Sequence, residues 1–232
     1  MNNILTLSSM EVPRMPSSLA TWYHTKHEEI QSNEDEVKKA RLRQGLDKEF
    51  VQEIYPLVLY SRWSFPHDDV LYQVKIANQG YDANLSPVDQ LGHVHTVEVT
   101  WPQDGKEHKV GAELSNCHGF HGRIGDESEY YNQDILQRVP GGARHKSLND
   151  YRSPGGSARL IVLDTICSPL KESARIAQIS SLSRQIESLP FRVDSVYLIA
   201  TPHAGIHAVI ERPPKGSSEF SHTRVADPLR KQ

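Results

Sequence analysis

The feature that most constrains the fold of this chain is a strand–helix–strand pattern in its second half. Leu160-Ile161-Val162-Leu163 is a continuous apolar run, as expected of a strand buried on both faces. An amphipathic helix follows, with Ile176, Ile179, Leu182, Ile186 and Leu189 at threes and fours and Leu170 leading in. Val193 to Ala200 makes a last apolar strand, closed by Thr201-Pro202. Such a unit joins two parallel neighbours through a right-handed crossover, so the chain must carry a parallel sheet with a helix on its face.

Upstream, the periodicity switches to two. Val70, Tyr72, Val74 and Ile76 share one face, and Leu71, Gln73, Lys75 and Ala77 the other. Asn78-Gln79-Gly80 is turn chemistry, leading to a short strand at Tyr81 to Leu85 that Ser86-Pro87 breaks. A third strand runs from about His93 to Trp101, and Pro102-Gln103-Asp104-Gly105 turns the chain again. Short connections make these three strands an antiparallel meander. The fold class that results is α/β (α+β): a single mixed β-sheet with a three-strand meander and a βαβ unit, helices on its faces.

Before the meander, Ser17 or Ser18 caps a short helix presenting Leu19, Trp22, Tyr23 and Ile30. Asn33 with Glu36 has capping-box spacing for a second helix, whose apolar stripe is Leu42, Leu46, Phe50 and Ile54. Gly45 interrupts it, and Pro56 ends or kinks it at about Tyr55. A helix is expected from Glu127 to Val139, and Pro140-Gly141-Gly142 and Pro154-Gly155-Gly156 bracket a loop. The chain divides into an N-terminal arm with a short helix (1–32), a core (33–205) and a disordered tail (206–232), where Pro213-Pro214-Lys215-Gly216-Ser217-Ser218 carries no pattern.

Composition narrows the function classes. At 232 residues the chain is long enough for one good core. A formal charge of −3 means a nucleic-acid partner must be held by a local patch or through a metal. No stretch approaches the roughly 18–20 apolar residues of a spanning helix, so no membrane partner is expected. Met1-Asn2-Asn3-Ile4-Leu5 lacks the basic and apolar regions of a signal peptide. Cys117 and Cys167 read as free thiols, so the expected location is cytoplasmic.

Two carboxylates carry the functional reading. On the third strand Thr96, Glu98 and Thr100 share a face opposite Val97, Val99 and Trp101. On the second, Asp82 shares a face with Asn84, opposite Tyr81, Ala83 and Leu85. The apolar sets go to the core, so Asp82 and Glu98 face out of it or into a polar cleft. If the meander pairs in sequence, one patch holds Lys75, Asp82, Glu98 and Thr100. Carboxylates so placed suit a hard divalent cation, Mg²⁺ or Mn²⁺, and a lysine beside them suits phosphodiester hydrolysis. The same pattern also describes a solvated Lys–Glu cross-strand pair.

The order of elements, with Tyr81-Asp82 on the second strand and Glu98-Val99-Thr100 on the third, resembles the PD-(D/E)XK nuclease-like superfamily over residues 34 to 201. The resemblance implies a restriction-endonuclease-like core and a metal-dependent endonuclease. Its partner would be DNA, with RNA as the alternative, and a duplex-cleaving member often works as a homodimer. Asp82 and Glu98 would bind the metal. The usual lysine, two residues after the glutamate, is Thr100 here, which could hydrogen-bond a metal water. Lys75 is the replacement in this reading. Glu53, or Glu49 after it, would be the acidic residue that the first core helix adds. The Thr100 departure also fits a catalytically inactive module that binds nucleic acid or a protein.

The loop from Arg144 to Arg159 carries Arg144, His145, Lys146, Arg152 and Arg159 against one acid, Asp150, a basic set suited to phosphates that equally describes a solvated surface loop. His93, His95, Cys117, His118 and His121 lack the Cys-x-x-Cys pairing that would mark structural Zn²⁺. Cys117 with His118 or His121 is a weaker candidate still, for a thiol nucleophile, since nothing nearby orients the pair.

Overall fold

Antiparallel and parallel pairing meet at one strand of one sheet. A computed structural model of the chain describes residues 3–76, 80–89, 94–101, 105–119, 127–152, 157–164, 172–200 and 205–211. Among these residues the first half supplies α1 (Leu7–Met10), α2 (Pro16–Gln31), α3 (Glu34–Leu42), α4 (Leu46–Glu49), a π-helical turn (Phe50–Ile54) and α5 (Tyr55–Ser64). Next come β1 (Val70–Val74), β2 (Ala83–Pro87) and β3 (His95–Thr100), then α6 (Gly105–His118) and α7 (Glu127–Ser147). The chain continues with β4 (Ala158–Asp164), α8 (Glu172–Glu187), β5 (Ser195–Ala200) and β6 (Gly205–Glu211).

The six strands lie in chain order in one mixed sheet. β1, β2 and β3 are antiparallel, β3, β4 and β5 are parallel, and β6 returns antiparallel to β5. The meander and the βαβ unit are therefore joined at β3, whose last five residues are all buried. Among the described residues no helix is long and apolar enough to cross a membrane.

Each sheet face has its own core. Val70, Tyr72, Val74, Ala83, Leu85, Val97, Val99, Ile161 and Tyr197 pack against Leu19, Phe50, Ile54, Leu57 and Tyr60 from α2, the π-helical turn and α5. On the other face Leu160, Val162, Val196 and Leu198 pack against Val139 and Ala143 of α7 and Ile179, Leu182 and Ile186 of α8. The first face also buries Arg159, 8% exposed, as register opposite Val97 demands. Its Nη1 donates to the Tyr60 hydroxyl at 2.7 Å, and its guanidinium lies 5.3 Å from the Phe65 ring centre. Burial opposes its charge, but the surrounding Tyr60, Tyr197 and Tyr72 oxygens outweigh that and hold the cation.

Three expectations need correction. Residues 206–211 are not tail: they form β6, with Ile199 opposite Ile206 and Val196 opposite Ile210. The short run between Pro202 and Pro213 hid a period-two strand. Pro140-Gly141-Gly142 does not end a helix, because α7 runs through it to Ser147. A helix-interior proline loses a hydrogen bond, and burial of Val139, Pro140 and Ala143 against the sheet offsets that. At Pro56, where the sequence leaves an end or a kink open, the helical path continues. Tyr55 N–H bonds back to Phe50, a five-residue reach, and the wide turn it closes leads into α5 with Pro56 in its first turn. At α3 the cap is as read: Asn33 Oδ1 accepts from Asp35 N–H at 3.0 Å and Glu36 N–H at 3.3 Å. The third correction is at α2, which neither Ser17 nor Ser18 caps: both lie inside the helix after Met15, and Asp68 Oδ1 from afar accepts from Ser17 N–H at 2.8 Å.

Replacing Tyr60 by Phe removes the acceptor of a buried guanidinium. The expected loss is about 1–3 kcal/mol of stability, read as a lower urea midpoint with an unchanged slope.

Candidate functional site

Strand register brings the two carboxylates together. β2 pairs with β3 through Ala83 opposite Val97 and Asn84 opposite Thr96, so the next step of the same register sets Asp82 opposite Glu98. Asp82 N–H donates to the Val97 carbonyl at 2.9 Å. Asp82 Oδ2 accepts from Val99 N–H at 2.7 Å, which turns the carboxylate onto β3. Glu98 is 4% exposed. It shares a face with Leu160 of β4, the side on which α7 packs.

Helix α7 delivers the counter-charge. Val139 and Ala143 face the sheet, and Lys146 follows on the same side in the last turn, where its Nζ pairs with Glu98 Oε1. Burial works against the Lys146 charge, but the bond to Glu98 and the nearby Tyr151 and Asp82 raise its pKa overall. Burial raises the proton affinity of both carboxylates. The Asp82 charge raises Glu98 further, while Lys146 pulls it down. For Asp82 the Val99 bond and Lys146 oppose the effect of burial.

A third acid stands close by. Glu53 lies in the π-helical turn, whose Gln52 carbonyl accepts from Trp101 Nε1 just beyond β3. Its carboxyl is pushed up to about 8, first by burial and then by Asp82, Glu49 and Glu98, with Lys48 opposing. Three acids thus interact with one another here, opposed by Lys146 at Asp82 and Glu98 and by Lys48 at Asp82 and Glu53.

A pocket of about 610 Å³ opens over the pair. Gly80, Asp82, Glu98 and Lys146 line it together with the segment Leu148 to Tyr151 and Arg192. Tyr151 is buried, and its hydroxyl accepts from Asn149 Nδ2 at 2.9 Å.

The structure brings together only part of the sequence-derived set. Asp82 and Glu98 line one pocket, and Glu53 feels both of their charges without lining it. Lys75 N–H bonds the Asp82 carbonyl at 2.8 Å, but the lysine side chain that reaches the carboxylates is that of Lys146. Thr100 is buried and does not line the pocket. Arg144 and Lys146 sit on a helix rather than in a loop. The Arg152 guanidinium is committed to structure: Nε donates to Asp194 Oδ2 at 3.2 Å and Nη2 to the Arg192 carbonyl at 2.5 Å. His93, His121 and Cys167 lie outside the described residues. His95 Nδ1 pairs with Ser157 Oγ at 2.7 Å, and Cys117 is an exposed free thiol on α6. Tyr151 and Arg192 were not expected at the site. The spacing Val139, Ala143, Lys146 is helical and marks Lys146 as sheet-facing once Pro140 is allowed inside a helix.

Comparison of the chain with protein families, with curated proteins and with solved structures gives no match.

The raised Glu53 pKa fixes a sign. The folded chain holds this proton more tightly than the unfolded chain, whose carboxyl has the ordinary value of 4.5. The stability it confers is complete below that value and is lost as pH rises through about 8. In chelator, the urea midpoint of the wild type should fall across this window. Glu53→Gln should fall by less, and equal slopes would remove Glu53 from the cluster.

Proposed function

We propose that this chain is a metal-dependent nuclease-like domain that hydrolyses phosphodiester bonds, with DNA as the expected substrate. The observation that carries the reading is the convergence of Asp82, Glu98 and Lys146 in the lining of an open pocket. It supports the resemblance to the PD-(D/E)XK nuclease-like superfamily, and Lys146 is the ammonium that Thr100 does not provide.

The donor chemistry fits a hard cation. Burial raises the proton affinity of both strand-borne carboxylates, and the Asp82 charge raises that of Glu98 further, a state a divalent ion relieves. Among the described residues no three His, Cys, Asp or Glu side chains form a metal-binding group. Asp82 and Glu98 would therefore supply two ligands to Mg²⁺ or Mn²⁺, leaving the rest to water and phosphate oxygens. Such an ion polarises the phosphate and lowers the pKa of its bound water.

The chain's own residues do the rest. Asp82 is pinned by Val99 N–H, so one of its oxygens is fixed before substrate arrives. Lys146 holds a positive charge against burial, and in that place it stabilises charge developing on the scissile phosphate. Glu53 keeps its proton near neutral pH and so limits the negative charge at the site until a cation enters.

The competing reading is a decayed nuclease fold that only binds. Its support was Thr100, and the placement of Lys146 weakens it. Plasmid and single-stranded DNA incubated with Mg²⁺ or Mn²⁺ separate the two. Cutting should vanish in chelator and drop by about a hundredfold or more in Asp82→Ala, Glu98→Ala and Lys146→Ala. Lys75→Ala should keep most of it. A folded wild type that cuts nothing with either metal would leave the binding module standing.

A further inference from the structure

The pocket is larger than the proposed chemistry uses. At about 610 Å³ it falls among pockets that enclose a whole small molecule, roughly 300–1,000 Å³. Asp82, Glu98 and Lys146 are only part of its lining. The rest is Gly80, Leu148, Asn149, Asp150, Tyr151 and Arg192.

The segment from Lys146 to Arg152 is braced. Asn149 N–H donates to the Lys146 carbonyl at 3.3 Å, and Arg192 N–H to the Ser147 carbonyl at 3.1 Å. Asp150 Oδ1 accepts from Arg152 N–H at 3.1 Å. Thr96 Oγ1, on the sheet, donates to the Tyr151 carbonyl at 2.5 Å. Arg152 ties Asp194 and the Arg192 carbonyl to the same segment. Two side chains stand out from this frame. Leu148 is 58% exposed at the pocket, although burial would stabilise it. Arg192 lines the pocket, and its guanidinium has no ion pair among the described residues.

The geometry points to an unpaired nucleotide as the occupant of the space between Leu148 and Arg192, and so to single-stranded or locally unpaired nucleic acid as the substrate class. The inference rests on the nuclease reading of the same pocket. A duplex turns its phosphates outward and stacks its bases within, so it offers the pocket a phosphate and leaves Leu148 uncovered. A single strand, loop or frayed end can turn a base into the recess. Leu148 packs on the face of that base. Arg192 takes the phosphate beside the scissile one, a group its planar fork suits. Nothing in this contact asks for one particular base, so sequence preference should be slight.

The test is binding in chelator, at one fixed salt concentration, by fluorescence anisotropy of labelled 12-nucleotide dT and U strands, a 12-base-pair duplex, and that duplex with three unpaired nucleotides. The wild type should bind a single strand and the interrupted duplex about tenfold more tightly than the intact duplex. Arg192→Ala should weaken the single strand by about tenfold. Leu148→Ala should reduce the preference by about threefold or more and leave duplex binding unchanged. Preference shown by either the dT or the U strand supports the inference and names the sugar. Equal or tighter binding of intact duplex, or a preference untouched by Leu148→Ala in a folded variant, overturns it. Metal-dependent cutting of duplex without such a preference would overturn this inference alone. Single-strand preference without cutting would overturn the nuclease reading alone.

Discussion

The register of β2 on β3 sets Ala83 opposite Val97, and both faces of the sheet follow from it. In that register Ala83, Leu85, Val97 and Val99 all enter the core shared with α2 and α5. Their alternates Asp82, Asn84, Thr96 and Glu98 are thereby committed to the face that α7 approaches. A slip of one residue would move four buried apolar side chains to the polar side and carry Asp82 away from Glu98. The core residues therefore hold the carboxylates in place, and the Asp82 bond to Val99 N–H closes the last step of the alignment. The same logic places Arg159. Its register opposite Val97 buries a guanidinium on the apolar face, and a ring of tyrosines is the answer the fold provides.

Charge balance at the pocket comes from elements far apart in sequence. Asp82 and Glu98 arrive on neighbouring strands, Glu53 on a π-helical turn and Lys146 at the end of a long helix. Burial alone would push all three acids toward the neutral form. Lys146 offsets part of that for Asp82 and Glu98. Glu53, which feels both of their charges and is opposed only by Lys48, has its carboxyl pushed up to about 8. The cluster is thus a local deficit of positive charge in a chain whose global charge is slightly negative. That is a property of the site and not of the composition.

What was legible in the sequence is what rests on period two and on continuous apolar runs. The meander, the βαβ unit and the faces of Asp82 and Glu98 all follow from side-chain alternation, which the core enforces. The parts that were not legible involve elements whose local signal opposes their tertiary setting. Pro140-Gly141-Gly142 reads as a break, yet α7 passes through it because Val139 and Ala143 are buried against β4 and β5. Reading a loop there hid the alignment of Lys146 with Glu98 and put the lysine on Lys75 instead. Arg152 looked like a phosphate contact because its neighbours are basic, but its partner Asp194 is 42 residues away and leaves no local trace. Strand β6 was missed for the opposite reason: its alternation is present but short, between two prolines.

The π-helical turn shows how these constraints meet. A five-residue turn is a poor way to continue a helix, and Pro56 already removes one backbone donor just after it. The irregularity keeps Phe50, Ile54, Leu57 and Val58 all within one core, which a helix broken at Tyr55 would not. It also shifts the phase of the helix at the point where Gln52 meets Trp101, and that contact fixes the turn against the end of β3. Glu53 is the residue so displaced, and it comes within range of Asp82 and Glu98. The local cost of the turn and the unfavourable burial of Glu53 are therefore linked consequences of one packing solution. An acid that keeps its proton near neutral pH is what that solution leaves within reach of the Asp82 and Glu98 charges.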